Sequence, residues 1–268
     1  MLDRFNRNIT YLRISITDRC NLRCKYCVPD GCTIPQTKKK LLSYEEIIAF
    51  TEAAAEIGIR KIRLTGGEPL LRKEVVKLVR GIKMNPAIEE LTMTTNGILL
   101  TDMAESLKEA GLDRINISID TLDPEKYREM TRGGDINKVL TAIDRINALG
   151  YRNTKINTVV MPEFNGDEIP IIEQFCRSKG IRFQRINHYS LSDINSIDTR
   201  YDAERPLSCR LCNRIRLTSD GKIKPCLFSN IEIPINMDNI KESLVAAIQG
   251  KPVNGSQNTS RGNWQIGG

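Results

Sequence analysis

Apolar and polar positions along this chain switch between two periods. Short apolar or alternating runs predict strands at residues 11–16, 61–65, 90–95, 114–119, 154–160 and 182–186. Between them, apolar residues recur at helical spacing over 43–57, 73–84, 102–110, 136–149 and 167–178. Ser43 followed by Glu46 has the spacing of a capping box, and Gly58 ends the helix that it opens. Regular strand–helix alternation predicts an α/β fold with a parallel sheet and right-handed crossovers. Periodicity alone does not separate an open doubly wound sheet from an incomplete barrel. The alternation stops near residue 190, so the chain divides into a βα region, 1–190, and a C-terminal extension, 191–268. Within the extension, 190–206 is polar and turn-rich. Residues 209–228 read as a hairpin turning at Ser219-Asp220-Gly221, and 239–249 as a short helix. The last stretch, 250–268, is rich in Gly, Asn and Ser and ends in Gly267-Gly268.

Composition narrows the function classes. The 268 residues suffice for a sizeable core, and 40% hydrophobic with 27% charged residues is ordinary for a globular chain. The net charge of +7 suits an anionic partner such as a nucleotide. Lys38-Lys39-Lys40 is the one charge run, and aromatics make up 5%, which argues against a base-stacking platform for nucleic acid. Residues 1–8 are polar, and no apolar run approaches the ~20 residues of a membrane span. These features predict a cytoplasmic chain with no membrane partner. In that compartment eight cysteines point to metal or redox chemistry rather than disulfides. The single histidine, His188, disfavours His-rich zinc catalysis and a Ser-His-Asp triad.

Six of the cysteines fall into two groups of three. Cys20, Cys24 and Cys27 form C-x3-C-x2-C just after the first strand, at the sheet edge where parallel α/β folds place their sites. Three thiolates are one too few to close an iron–sulfur cluster or a structural zinc site, so the group either leaves a position open or borrows a ligand such as Cys32. Thr65-Gly66-Gly67-Glu68-Pro69 follows the second strand, where glycines let backbone approach a ligand and Glu68 offers an acceptor for a cationic group. Cys209, Cys212 and Cys226 form C-x2-C-x13-C on the predicted hairpin. Alternation puts Arg214 and Arg216 on one strand face beside them, suited to an anionic, phosphate-bearing substrate. Cys176 falls in a helix and reads as core.

The first cysteine group, with Tyr26 before its third member, and the GGEP stretch together resemble the radical S-adenosylmethionine (SAM) superfamily. The opening DRFNRNITYLRISITDRCNLRCKYC, the stretch CRLCNRIRLTSDGKIKPCLFS and the closing NWQIGG resemble its GTP 3′,8-cyclase family, of molybdenum cofactor biosynthesis. The resemblance implies a partial (β/α)6 barrel and two [4Fe–4S] clusters. The first cluster would sit on Cys20, Cys24 and Cys27 and the second on Cys209, Cys212 and Cys226. SAM would chelate the open iron of the first and be cleaved to a 5′-deoxyadenosyl radical, and the second would bind the guanine of GTP. The resemblance further implies SAM contacts at Tyr26, Gly66, Gly67, Glu68 and Ser118, with Asn187 at a position where the family has a methionine. Nucleotide contacts are implied at Arg13, Lys61, Arg63, Thr94, Lys155, Arg182, Arg214 and Arg216. An electron donor such as flavodoxin or ferredoxin is implied as partner, and a homodimer is open. Two departures border the substrate: the segment from His188 to Leu207 is shorter than the family's, and strand six reads Phe183-Gln184-Arg185-Ile186-Asn187. They leave open a related enzyme acting on another nucleotide or on a peptide; the more distant alternative is a non-catalytic metal-binding protein.

Overall fold

A computed structural model describes residues 1–28, 41–200 and 202–267. Cys32, the Lys38-Lys39-Lys40 run and Gly268 lie outside the described residues. The elements run β1 (Tyr11–Ser15), α1 (Tyr44–Glu56), β2 (Lys61–Thr65), α2 (Val75–Lys83), β3 (Glu90–Thr95), α3 (Leu100–Glu109), β4 (Arg114–Ser118) and α4 (Pro124–Thr131). They continue with α5 (Ile136–Ala148), β5 (Lys155–Val160), α6 (Pro162–Asn165), α7 (Ile169–Ser178), β6 (Arg182–Asn187), β7 (Arg214–Leu217), β8 (Lys222–Lys224), β9 (Ile233–Pro234), α8 (Ile240–Gln249) and α9 (Asn263–Ile266).

The strands form one sheet in the order β6-β5-β4-β3-β2-β1-β7-β8-β9. From β1 to β6 every neighbour is parallel and next in sequence. A doubly wound sheet reverses its order at a switch point, and these six strands do not. The chain therefore winds one way, as a partial (β/α)6 barrel, and leaves β1 unpaired with β6. The free edge of β1 takes β7 in parallel, and β8 and β9 follow antiparallel. Residue 190 thus marks the end of the strand–helix alternation, while the sheet runs on through 191–268.

Apolar burial explains the elements. Ile14, Ile62, Leu64, Met93, Ile117 and Ile156 on the strands are fully buried against helix residues such as Phe50, Leu78, Leu107 and Ile143. The capping box of α1 forms: the Glu46 amide donates to Ser43 Oγ at 3.1 Å, and the Ser43 amide donates to Glu46 Oε2 at 2.6 Å. Cys176 is buried in α7, as expected.

Helices α4, α6 and α9, strand β9 and the docking of the tail go beyond the sequence expectation. Helix α4 has no counterpart in it, because Tyr127, Met130 and Thr131 are its buried residues and the apolar stripe is short. Its start signal is nonetheless present: Asp123 accepts from the amides of Glu125 and Lys126, both at 2.9 Å, with Pro124 in the first turn. The Gly/Asn/Ser-rich tail is clamped to the body. The Ser256 amide donates to Phe228 O at 2.8 Å and the Asn258 amide to Leu191 O at 2.6 Å. Leu191, Phe228 and Ile266 then form a small apolar cluster of their own. Among the described residues no helix is long and apolar enough to cross a membrane.

Candidate functional site

The first cysteine group sits on a loop that two neighbours hold in register. On one side α4 receives it: the amides of Arg23 and Lys25 donate to Thr131 O and Met130 O, both at 3.0 Å. On the other side the Gly66-Gly67 turn zips to it, with the Gly67 amide on Thr17 O at 2.8 Å and the Glu68 amide on Arg19 O at 2.7 Å. A Cβ at Gly67 would stand 2.2 Å from Arg19 O, and one at Gly66, whose φ is +155°, 2.4 Å from Thr17 O. The close passage of the cysteine loop therefore requires the glycines, in addition to the ligand approach expected from the sequence. Glu68 is buried, and its carboxylate accepts from the Leu70 amide (3.1 Å), Thr95 Oγ1 (2.7 Å) and the Asn96 amide (2.8 Å). It ties the GGEP turn to the end of β3. Burial pushes its acid up to about 7, against the pull of those hydrogen bonds.

These loops surround a cleft of about 1280 Å³, mouth included, at the C-terminal ends of the strands. Cys20, Cys24 and Cys27 line it, as do Tyr26, Gly66, Gly67, Glu68, Ser118 and Asn187. All the SAM contacts implied by resemblance are thus brought together. Tyr26 is not free at its hydroxyl, which hydrogen-bonds the buried Asp120. Burial pushes Asp120 up to about 6. Thr94 opens on this cleft, and its buried hydroxyl has no hydrogen-bond partner among the described residues.

A second chamber, of about 520 Å³, shares Asn157, Ile186 and Tyr189 with the cleft. Arg13, Arg63, Arg214 and Arg216 line it, joined by Arg205. Register explains the gathering: Arg13 on β1 stands between Arg63 on β2 and Arg216 on β7, all pointing to one face. The Arg63 and Arg214 guanidiniums flank the Tyr11 ring, 5.5 and 5.2 Å from its centroid. Burial, then neighbouring arginine charge, lowers Arg13 well below its usual value and Arg214 to about 10. Among the described residues no carboxylate lines this chamber.

A third cavity, of about 630 Å³, shares Pro206, Arg214, Arg216 and Leu227 with the chamber and holds Cys209, Cys212 and Cys226. Its other walls include Ile194, Ile197, Leu207 and Phe228. Lys251 is buried here, donating to Arg214 O at 2.8 Å and Pro225 O at 2.6 Å. Burial would raise the Cys212 thiol, yet the Lys251 charge and hydrogen bonds from Arg214 and Lys251 lower it. The other shifted thiols rise by burial: Cys20, Cys226, Cys24 well above the usual value, and Cys27 up to about 12.

The tail closes the arrangement. Arg216 Nη1 donates to Gly267 O at 2.7 Å and Ile266 O at 3.2 Å. Gly267 has φ +62°, and a Cβ there would stand 2.1 Å from Thr65 Cγ2. Asn263 and Trp264 line the cleft.

Some predicted residues lie elsewhere. Lys61 is exposed at the start of β2, paired with Glu90 Oε2 at 3.4 Å, and Arg182 is exposed at the start of β6. Neither lines the three cavities. Lys155 is 9% exposed, and burial with the charges of Arg182 and Arg114 brings it to about 8. The sequence reading missed Asp120, Asn157, Tyr189, Arg205, Lys251 and Trp264. Period-two spacing from Lys155 points to Asn157; nothing local points to Arg205 or Lys251.

The seven described cysteines are all unbridged. Among the described residues no three His, Cys, Asp or Glu side chains are arranged to hold a single metal ion. Each cysteine triad instead faces an open cavity, with thiols that burial for the most part keeps from ionising without a bound cation. That donor set fits a cluster with an open corner better than a closed zinc site.

The profile of the radical SAM superfamily matches residues 14–176. The GTP 3′,8-cyclase of Alkaliphilus oremlandii (strain OhILAs) is 39% identical over 320 residues, covering 100% of both chains. That alignment is longer than this chain, so it carries gaps on this side. The enzyme of the same name from Clostridium botulinum (strain Hall) is 39% identical over 273 residues, covering 87% of this chain and 86% of its own. Among solved structures, Streptococcus suis SuiB bound to S-adenosylmethionine superposes with a TM-score of 0.68 at 17% identity, over 91% of this chain and 68% of SuiB. The native anSMEcpe structure with bound AdoMet gives 0.66 at 15% identity, over 91% of this chain and 81% of that one. These two likenesses concern the fold, which is that of the partial barrel. The non-catalytic alternative is thereby set aside. The chain belongs to the radical SAM superfamily, enzymes that work with S-adenosylmethionine and a [4Fe–4S] cluster, and within it to the family of the GTP 3′,8-cyclases.

Proposed function

We propose that this chain cyclises GTP to 3′,8-cyclo-7,8-dihydro-GTP, as in molybdenum cofactor biosynthesis, and that it carries two [4Fe–4S] clusters. One observation carries the reading: a cysteine-lined cleft, an arginine chamber and a second cysteine-lined cavity lie side by side and share wall residues. Cys20, Cys24 and Cys27 would hold the first cluster, and Tyr26, Gly66, Gly67, Glu68, Ser118 and Asn187 frame SAM beside it. When bound, this pair supplies a one-electron reductive cleavage that yields a carbon radical able to take a hydrogen atom from a substrate. The chain's residues bind and orient that substrate. Arg13, Arg63, Arg214 and Arg216 balance the roughly four negative charges of a triphosphate. Lys155 stands in the same field, with Lys61 and Arg182 adding charge from the strand starts. Thr94 and Asn157, each with a buried side-chain oxygen lacking a partner, face the ligand between the two ends. The apolar walls around Cys209, Cys212 and Cys226 suit a planar base. The C-terminal region, 191–268, is the substrate lobe of this reading and 1–190 the radical-forming lobe. A one-electron donor such as flavodoxin or ferredoxin completes it; nucleic acid and membrane have no part.

The test is anaerobic incubation of reconstituted protein with SAM, dithionite and GTP. The expected results are a cyclised guanosine nucleotide by mass spectrometry and about eight irons per chain. Formation of 5′-deoxyadenosine without that product removes GTP as substrate. The short segment 188–207 favours, as second reading, the same chemistry on another nucleotide or a peptide; SAM cleavage stimulated by such a compound and not by GTP would establish it.

A further inference from the structure

The segment between β6 and β7 returns an arginine to the chamber. After β6 the chain loops out and comes back along it: Ile186 and Arg205 form a parallel bridge, and the Asn187 amide donates to Arg205 O at 2.9 Å. This bridge occupies the edge of β6 that a closed barrel would pair with β1. Arg205 is thereby fixed in the gap of the partial barrel, and its side chain lines the same chamber as Arg13, Arg63, Arg214 and Arg216.

Its guanidinium has no hydrogen bond or ion pair with any described residue, and Nη1 is buried. The Nε of Arg214 is likewise buried without an acceptor. Arg205 and Arg214 line the same chamber, on either side of the gap between β6 and β7. The carboxylate of Glu204, the preceding residue in the chain, accepts from Gln184 Nε2 at 2.7 Å instead. Two like-charged groups with unsatisfied buried N–H donors are costly unless an anion fills the space between them. A guanidinium pair matches the oxygens of a phosphate.

We propose that Arg205 and Arg214 clamp one phosphate group of the substrate, so that the segment 188–207 itself supplies a phosphate ligand. The clamp rests on reading the chamber as a polyphosphate site. It extends that reading to a residue that neither the sequence patterns nor the family resemblance assigns.

The test uses the full reconstituted chain and titration calorimetry with three probes: inorganic tripolyphosphate, GTP and guanosine. Arg205→Gln is expected to weaken tripolyphosphate and GTP by about tenfold or more, with guanosine unchanged. Arg205→Lys keeps the charge without the fork and should fall between the two. Arg177→Gln, on an exposed helix face, serves as the charge control and should change binding less than about twofold. SAM affinity equal to the parent's shows that each variant is folded. Tripolyphosphate binding by Arg205→Gln within about twofold of the parent overturns the clamp. If the parent binds tripolyphosphate and not GTP, the GTP reading fails while the Arg205 variants still decide the clamp. If the parent binds GTP and Arg205→Gln binds it equally, the clamp fails and the GTP reading stands. A parent that binds none of the three overturns both.

Discussion

Gly67→Ala tests whether the GGEP turn and the cysteine loop act as one unit. The added Cβ would stand 2.2 Å from Arg19 O and 2.5 Å from Arg19 C, and these are backbone atoms that no rotamer change can move. Relieving the contact must part the turn from the loop. That strains or breaks the bonds from Gly67 N to Thr17 O (2.8 Å) and from Glu68 N to Arg19 O (2.7 Å). Forced repacking costs about 1–3 kcal/mol and each of the two weakened hydrogen bonds about 0.5–1.5, so a loss of about 2–6 kcal/mol is expected. At roughly 2–4 °C per kcal/mol for a chain of this size, Tm should fall by about 4–24 °C. The assay is thermal unfolding of the unreconstituted protein, followed by iron content and SAM affinity after reconstitution. Both of the latter should fall, since the displaced loop carries Cys20, Cys24 and Cys27. Gly81→Ala is the control. Its Cβ meets Ile48 Cδ1 at 2.3 Å, the far end of a flexible side chain, and α2 gains helix propensity. A Gly67→Ala protein that melts within about 2 °C of the parent and binds SAM equally would refute the reasoning.

Three further outcomes are expected. Cys24→Ala should abolish SAM cleavage, whereas Cys209→Ala should lose about half the iron yet still cleave SAM, measured as 5′-deoxyadenosine release. Lys251→Met removes the buried ammonium beside Cys212; the iron of the C-terminal site should then be lost while that of Cys20, Cys24 and Cys27 remains, read by iron assay and EPR. Lys155, brought to about 8, holds its proton below that pH and loses it above, so its contribution to binding an anion is full at pH 7 and fades by pH 9. GTP affinity should drop by about tenfold across that range, and Lys155→Gln should flatten the decline; equal slopes in both proteins would exclude Lys155 from the site.

The patterning and motifs determined a good deal by themselves. Six strands alternating with helices, the Ser43 cap and both cysteine groups were legible because each depends on residues near one another in sequence. Regular βα order is enough to specify parallel neighbours. The choice between an open sheet and a barrel was not legible, since it depends on which edge of β1 stays free. Only the tertiary structure shows that β7 takes that edge and so brings Arg214 and Arg216 beside Arg13. Helix α4 was missed because its apolar stripe is short, yet it is the dock of the cysteine loop. The crowding at Gly67 was not legible because the crowding atom belongs to Arg19, far from it along the chain. Arg205 and Lys251 carry no local signal, and the Gly267 tail carries only the resemblance of NWQIGG. Each gains its meaning from a contact well beyond its own stretch of sequence, such as that of Arg216 with Gly267 O or of Lys251 with Arg214 O. Spacing in sequence fixed which groups exist. Long-range packing, which closes cavities and buries charges that would otherwise be solvated, decided which of them share a site.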